Sequence, residues 1–167
     1  MIARLIVPVV LIAALASCPR QAPLIRATDA PDLETAAILR GLVRDPADRD
    51  IVGLYARDTD RVCIVRRDGG YRIGATVDYG EGQGCSAAGD ASRLGDALRV
   101  RLGNDCHFDA AFDGDRITFP AVLPEACATA CVRSGTLAAL DAERLSESVA
   151  EAATMRNADG RAPCAGS

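Results

Sequence analysis

Apolar and polar residues alternate with a period of two through the middle of the chain, a pattern that predicts antiparallel β-strands with one buried face. The alternation recurs in six segments between Val52 and Phe119. The apolar positions are Val52, Leu54 and Ala56; Val62–Val65; Tyr71, Ile73, Ala75, Val77 and Tyr79; Leu98, Val100 and Leu102; Cys106, Phe108, Ala110 and Phe112; and Ile117 and Phe119. A meander of this length buries its apolar face best by curling into a small barrel or sandwich.

Turn residues separate these segments. Asp68-Gly69-Gly70 and Asp113-Gly114-Asp115 place glycine where a hairpin requires a positive φ angle. Asp58-Thr59-Asp60 and Gly103-Asn104-Asp105 are two further predicted turns. The strands are therefore expected to follow one another as hairpins.

Helical patterns flank the strands. The first predicted helix covers Asp32–Leu42 and ends near Gly41, because acidic residues and a proline suit its first turn. The second begins at the capping box formed by Ser148 and Glu151 and extends to about Ala158.

The stretch between the strands and the second helix has two interpretations. Thr136–Leu140 could form a closing strand, or one longer helix could begin at about Ala138. The fold class predicted from all these patterns is mainly β. It is a small antiparallel barrel or sandwich of about six to eight strands with an N-terminal and a C-terminal helix, cross-linked by disulfides.

The N-terminal residues have the layout of an export signal. Arg4 precedes the apolar run Leu5–Ala14, which is about half of the roughly 20 residues that a membrane span requires. Leu15-Ala16-Ser17-Cys18 resembles the lipobox of bacterial lipoproteins. The resemblance implies a diacylglyceryl group on the Cys18 thiol, cleavage before Cys18 and an N-acyl chain on the new amino group. An ordinary signal peptide cut near Ala16 is the alternative.

These features divide the chain into a signal peptide (1–17), a lipidated tether (18–30) and one globular domain (31–167). In the lipoprotein class, aspartate after the lipidated cysteine marks retention in the inner membrane. Pro19 stands at that position here, so the expected location is the outer membrane, facing the periplasm. Removal of residues 1–17 leaves a formal charge of −5, which argues against a nucleic-acid partner.

The chain contains seven cysteines, an odd number that needs an explanation in an exported protein. With lipid on Cys18, six remain, and in an oxidising compartment they predict three disulfides. These cysteines are Cys63, Cys85, Cys106, Cys127, Cys131 and Cys164. Of the 15 pairings that six cysteines allow, the one we predict is Cys63–Cys85, Cys106–Cys127 and Cys131–Cys164. Cys127 and Cys131 have a spacing suited to zinc, but the chain has a single histidine and no second close cysteine pair, so no metal site or other cofactor is expected.

The most distinctive predicted loop contains Tyr79, Gly80, Glu81, Gly82, Gln83 and Gly84. It lacks the lysine of a phosphate-binding loop. One interpretation is a flexible turn at the barrel rim, tethered by Cys85. The other is a partner-binding loop, because glycines let a backbone lie close to another surface.

Other polar groups have simple structural interpretations. His107 is expected on the polar face of its strand beside Asp109, and the pairs of aspartates are expected in turns. The four arginines Arg72, Arg99, Arg101 and Arg116 are expected on the outer face with Asp78 and Asp109. They form either cross-strand charge pairs or a surface that docks an acidic partner.

Gly53-Leu54-Tyr55 is similar to the Gly-x-aromatic opening of calycin-like barrels in small envelope lipoproteins. The resemblance covers residues 52–140 and implies a barrel and a binding role. That group includes inhibitors of C-type lysozyme, but their serine- and tyrosine-containing loop is not matched by Ser86-Ala87-Ala88-Gly89, so no inhibitory residue is carried over. The expected function is a non-catalytic, inhibitor-like or binding module for an envelope protein or ligand. The alternatives are an envelope hydrolase that uses surface carboxylates and a structural or stress-sensing lipoprotein.

Overall fold

The computed structural model describes residues 32–43, 45 and 50–165. The signal peptide, Cys18 and the tether lie outside the described residues. The strands are β1 (Gly53–Arg57), β2 (Asp60–Arg67), β3 (Gly70–Gly80), β4 (Gln83–Leu94), β5 (Ala97–Leu102), β6 (Cys106–Phe112), β7 (Arg116–Thr118), β8 (Cys131–Val132) and β9 (Asp141–Ser146). The helices are α1 (Leu33–Leu39), α2 (Val149–Thr154) and a 3₁₀ helix (Glu125–Ala130).

Eight antiparallel strands close into a barrel in the order β1-β2-β3-β4-β5-β6-β7-β9. Pairing of β1 with β9 completes the circle, and the short β8 adds to one end of β4. The predicted fold class is thereby confirmed. The six predicted strands are present, and two- and three-residue turns join them where turn chemistry predicted them. None of the helices within the described residues is long and apolar enough to cross a membrane.

The longest strand, β4, was not predicted. Its sequence is rich in glycine, alanine and serine, which have low strand propensity. Small residues are nevertheless required there: a Cβ atom on Gly89 would lie 1.8 Å from the Arg101 carbonyl oxygen, and one on Gly84 would lie 2.3 Å from that of Val77. Because β4 lies so close to both neighbouring strands, these positions cannot carry the β-branched and aromatic side chains from which a strand is normally predicted.

Side chains fill the barrel. Tyr55, Phe112 and Phe119 are its largest fully buried members, surrounded mainly by aliphatic residues. The predicted inward face of β1 is wrong, because Tyr55 points into the barrel while Leu54 packs outside it.

A second apolar cluster on the outside of the barrel explains this error. Ala152 and Met155, at the second helix and its end, pack with Val65 and the cysteine pair Cys63 and Cys164. The C-terminal segment thus covers the outer face of β1 and β2. Strands buried on both faces lose the alternation that marks a single buried face.

Both predicted helices are confirmed, with shorter bounds. The Asp32 carboxylate caps α1 by accepting the Thr35 N–H at 2.9 Å, although α1 buries none of its residues. The capping box of α2 uses the Ser148 hydroxyl, which accepts the Glu151 N–H at 3.3 Å. Helix α2 ends at Thr154 rather than near Ala158.

The predicted closing strand at Thr136–Leu140 is wrong, as is the alternative of a helix from Ala138. The last barrel strand is β9, and the segment before it turns back across the barrel end. Leu137 and Leu140 are buried in that turn, which explains why their spacing resembled a strand or helix.

One of the three predicted disulfides is confirmed, Cys106–Cys127. The other two predicted pairs are wrong: the structure joins Cys63 to Cys164 and Cys85 to Cys131. For the pair Cys63–Cys85, the reason is the face of the sheet on which each cysteine lies. Cys63 faces outward, where the C-terminal segment lies, while Cys85 contributes to the inner cluster. Two cysteines on opposite faces of a sheet cannot form a bond.

Candidate functional site

The six residues of the predicted loop form the tip of the β3–β4 hairpin. Glu81 and Gly82 form a two-residue turn with φ angles of 54° and 73°. Positive φ at both central residues is the property of type I′ turns, whose twist matches that of the flanking strands. Gly80, with a φ of 79°, lies at an irregularity in the β3–β4 register. Gln83 and Gly84 belong to β4.

Several contacts fix this tip on the barrel. The Cys85–Cys131 disulfide joins β4 to β8 next to the turn. The Tyr79 hydroxyl donates to the Thr136 carbonyl at 3.2 Å. A Cβ atom on Gly135 would lie 2.6 Å from the Gly84 carbonyl oxygen, so the chain after β8 packs closely against the hairpin. These contacts hold the base of the hairpin, at Tyr79, Gly84 and Cys85, against the neighbouring segments.

The tip borders a cleft of about 300 Å³ between the start of β4, the end of the 3₁₀ helix and the turn that contains Asp159 and Arg161. Val132, which lines it, is 58% exposed, and Tyr79 at the hairpin base is 52% exposed. The Glu81 side chain stands exposed at the tip. The region thus combines a hairpin held at its base with apolar, aromatic and acidic side chains that contact solvent.

Arg144 closes the barrel end opposite this tip and was not singled out by the sequence. Its guanidinium donates to the carbonyls of Val52 at 2.7 Å, Asp50 at 2.8 Å and Gly114 at 3.0 Å. The side chain is 6% exposed, and the guanidinium carbon lies 4.9 Å from the centre of the Tyr55 ring. The alternation of β9, in which buried Ala142 precedes Arg144 by two residues, was the signal that could have revealed an inward-facing arginine.

The segment between β7 and β9 caps the other end of the barrel. Phe119 and Leu140 are joined by a backbone hydrogen bond of 2.8 Å, and buried Cys127 is tied to Cys106 on β6. Apolar side chains fill the interior and this end is covered, while a cleft of about 680 Å³ lies at the Arg144 end, lined in part by Asp50, Val52 and Arg144.

The predicted arginine face is only partly assembled. Arg99 and Arg101 lie side by side on β5, and Arg99 lies 3.6 Å from the Asp109 carboxylate. Arg72 lies on β3 and donates to the Pro163 carbonyl at 2.6 Å. Arg116 is remote from them on β7. His107 is exposed opposite Arg101, on the polar face as expected.

Arg116 instead belongs to a charge network on the outer face of β1, β7 and β9. It pairs with Glu143, while Asp141 accepts hydrogen bonds from Arg57 and Arg116. Nearby, burial raises the pKa of Asp60, and the charge of Asp58 adds to this effect. The backbone N–H of Asp141 and the charge of Arg61 oppose the rise.

Aspartates also support the turns. The Asp113 carboxylate accepts the N–H groups of Asp115 at 3.0 Å and Arg116 at 2.7 Å, which holds the β6–β7 turn in the conformation expected of such residues. Within the described residues, no group of three or more histidine, cysteine, aspartate or glutamate side chains could hold a metal ion.

The class defined by this architecture is a closed eight-stranded antiparallel barrel with a filled interior and three disulfides. Comparison of the chain with models of protein families, with curated proteins and with solved structures finds no match.

Proposed function

We propose that the protein is a non-catalytic binding module of the bacterial envelope, with an inhibitor-like mode in which the Tyr79–Gly84 hairpin contacts a partner. In this proposal Cys18 carries diacylglycerol and an N-acyl chain, which anchor the domain in the outer membrane on its periplasmic side. The partner is an envelope protein or ligand.

The observation that carries the binding role is the support of the hairpin tip. The Cys85–Cys131 bond and the Tyr79 hydrogen bond hold the backbone in place before any partner arrives. Pre-organisation reduces the free energy that binding would otherwise lose to ordering a loop. Tyr79 is exposed, and tyrosine is one of the residue types enriched among the residues that contribute most to binding at protein interfaces.

Three disulfides support the proposed location. They use every cysteine except Cys18. Disulfides persist in exported proteins and are rare in reducing compartments. The single cysteine that remains is the one in the lipobox-like sequence, where lipid attachment would account for it.

A site-specific photocrosslinker tests the binding role in cells. Placed at Glu81, it is expected to give a discrete adduct that a Tyr79→Ala change weakens. The matched control is Asp96, which is exposed in the β4–β5 turn at the opposite end of the barrel. Equal adducts from Glu81 and Asp96, or none from Glu81, would overturn the proposal for the hairpin.

The anchor is tested separately by labelling cells with radioactive palmitate. Label is expected on the wild-type chain and not on Cys18→Ser, which should also leave the membrane fraction. A Cys18→Ser chain that keeps its label and its membrane association would contradict the proposed anchor while leaving the hairpin proposal intact.

A further inference from the structure

An open groove runs along the outer face of the second half of β4. Its floor is formed by the small residues Asp90 and Ser92, and the β2–β3 hairpin and the arginines of β5 form its two walls. The groove has a volume of about 420 Å³, within the range of small-molecule sites. It exists because β4 carries short side chains between the β2–β3 hairpin and the long arginine side chains of β5.

The C-terminal segment defines where the groove begins. Asn157 donates to the Ser86 hydroxyl at 2.8 Å, and the Arg72 guanidinium donates to the Pro163 carbonyl at 2.6 Å. These contacts cover the first half of the outer face of β4. The second half, from Asp90 onward, is exposed at Asp90 and Ser92.

The charges in the groove are incompletely paired. Arg67, Arg99 and Arg101 line it together with Asp68 and Asp90. Arg99 has a partner in Asp109 at 3.6 Å. In the part of the chain that the structure describes, Arg67 and Arg101 have no carboxylate within 4.0 Å. By contrast, the arginines on the β7–β9 face are paired.

This set of groups has a specific complement. Guanidinium groups bind carboxylates through charge-assisted, often bidentate hydrogen bonds. The Asp68 and Asp90 carboxylates can only accept hydrogen bonds, so they suit hydroxyl and amide donors. A ligand with one carboxylate and several hydroxyl or amide donors matches both. Gly69 at the groove wall, where a Cβ atom would meet nothing within 4 Å, leaves room for such a ligand.

From these observations we propose that the groove is a binding site for an acidic sugar, whose carboxylate contacts Arg67 and Arg101 and whose hydroxyl or amide groups contact Asp90. The site lies at the end of the β3–β4 pair opposite the hairpin tip, so it does not depend on the proposed partner of that hairpin.

Two sugars that differ by one acidic substituent test the proposal. N-acetylmuramic acid carries a lactyl carboxylate that N-acetylglucosamine lacks. Calorimetric titration of the disulfide-bonded protein should show millimolar or tighter binding of the acidic sugar, and binding of the neutral sugar weaker by roughly tenfold or more. Equal binding of the two sugars, or no binding of the acidic one, would overturn the proposal.

Variants identify the site. Arg101→Gln should weaken binding of N-acetylmuramic acid roughly tenfold. Arg133→Gln, an exposed arginine near the opposite end of the barrel, should leave it unchanged. Equal losses in both variants would indicate a general charge effect and would refute the site. Competition by sodium acetate as strong as competition by the sugar would show a bare carboxylate site and would refute the sugar assignment.

Discussion

Replacement of Arg144 should be the most damaging single change to a charged side chain in this domain. Its guanidinium bridges the segment before β1, through Val52 and Asp50, to the β6–β7 turn, through Gly114. It also lies over the Tyr55 ring inside the barrel end. Loss of the side chain would remove the hydrogen bonds that join these two parts of the chain.

The expected change in the free energy of unfolding follows from the hydrogen bonds that would be lost. Val52 and Gly114 are buried, so water cannot replace the hydrogen bonds that their carbonyls would lose. Asp50 is exposed, and water can hydrogen-bond its carbonyl instead. Two hydrogen bonds from a charged donor contribute about 3–6 kcal/mol. Desolvation of the guanidinium offsets part of this. Its buried Nε makes no hydrogen bond among the described residues and lies 3.5 Å from the Asp115 carboxylate. We expect Arg144→Met to lower the free energy of unfolding by about 3–4 kcal/mol.

Urea unfolding of the oxidised domain measures this change. Arg144→Lys should lose about 1.5–2 kcal/mol, because an ammonium replaces part of the hydrogen bonding but not the planar fork. The control is Arg99→Met, whose side chain is 56% exposed and whose ion pair is at the surface. It should lose less than about 1 kcal/mol. An Arg144→Met protein within about 1 kcal/mol of wild type, with an unchanged denaturant slope, would refute the reasoning.

Three further outcomes are expected from the same unfolding assay. Asp60→Asn should raise the free energy of unfolding at pH 7, because burial raises the pKa of Asp60 in the folded state and ionisation of this carboxyl therefore destabilises the fold. The difference from wild type should disappear at a pH well below 3.8, the ordinary pKa of the group, where Asp60 is protonated in both the folded and the unfolded chain. Gly89→Ala should cost more than about 2 kcal/mol because its Cβ would collide with a β5 carbonyl. Gly95→Ala, with a φ of 61° and open space, should cost only about 1 kcal/mol. Replacement of both Cys63 and Cys164 by alanine removes a cross-link between residues 101 apart in sequence and should cost about 4.7 kcal/mol in the loop-entropy estimate. A loss under about 1 kcal/mol would contradict that estimate.

The barrel could be predicted because alternation survives wherever one face of a strand meets solvent. On β5 and β6, buried Leu98, Val100 and Ala110 alternate with exposed residues, and the prediction agrees with the structure. On β2 both faces are buried, and the sequence contains an apolar run without alternation. The inward face of β1 was assigned wrongly for the same reason.

The disulfides and the closing strand depended on information that alternation does not hold. Pairing Cys85 with Cys131 requires knowing that Gln83–Leu94 is a strand, and its small residues conceal this.

The residues of the candidate hairpin were found from their glycines. Their support could not be predicted, because it comes from Thr136 and Gly135, which lie more than fifty residues away in sequence. The acidic-sugar groove was likewise hidden, because the β2–β3 hairpin and β5 meet only across the unpredicted strand.

Other segments of the chain cover several surfaces of the barrel, which limits the regions that could contact a partner or ligand. Its interior is filled, one end is closed by Arg144, and the other is capped by the segment between β7 and β9. The outer face of β1 and β2 lies under α2 and the C-terminal segment. On the outer face of β7 and β9, Arg116 and Asp141 satisfy their charges locally. The β3–β4 tip and the groove along β4 differ from these surfaces. The tip exposes Tyr79 and Glu81 to solvent, and the groove contains Arg67 and Arg101, which have no carboxylate within 4.0 Å among the described residues. Both depend on β4, whose small side chains let neighbouring segments approach the hairpin closely at one end and leave an open channel at the other. Replacing the small outward-facing residues of β4 with larger ones should therefore abolish binding, even in variants whose barrel still closes.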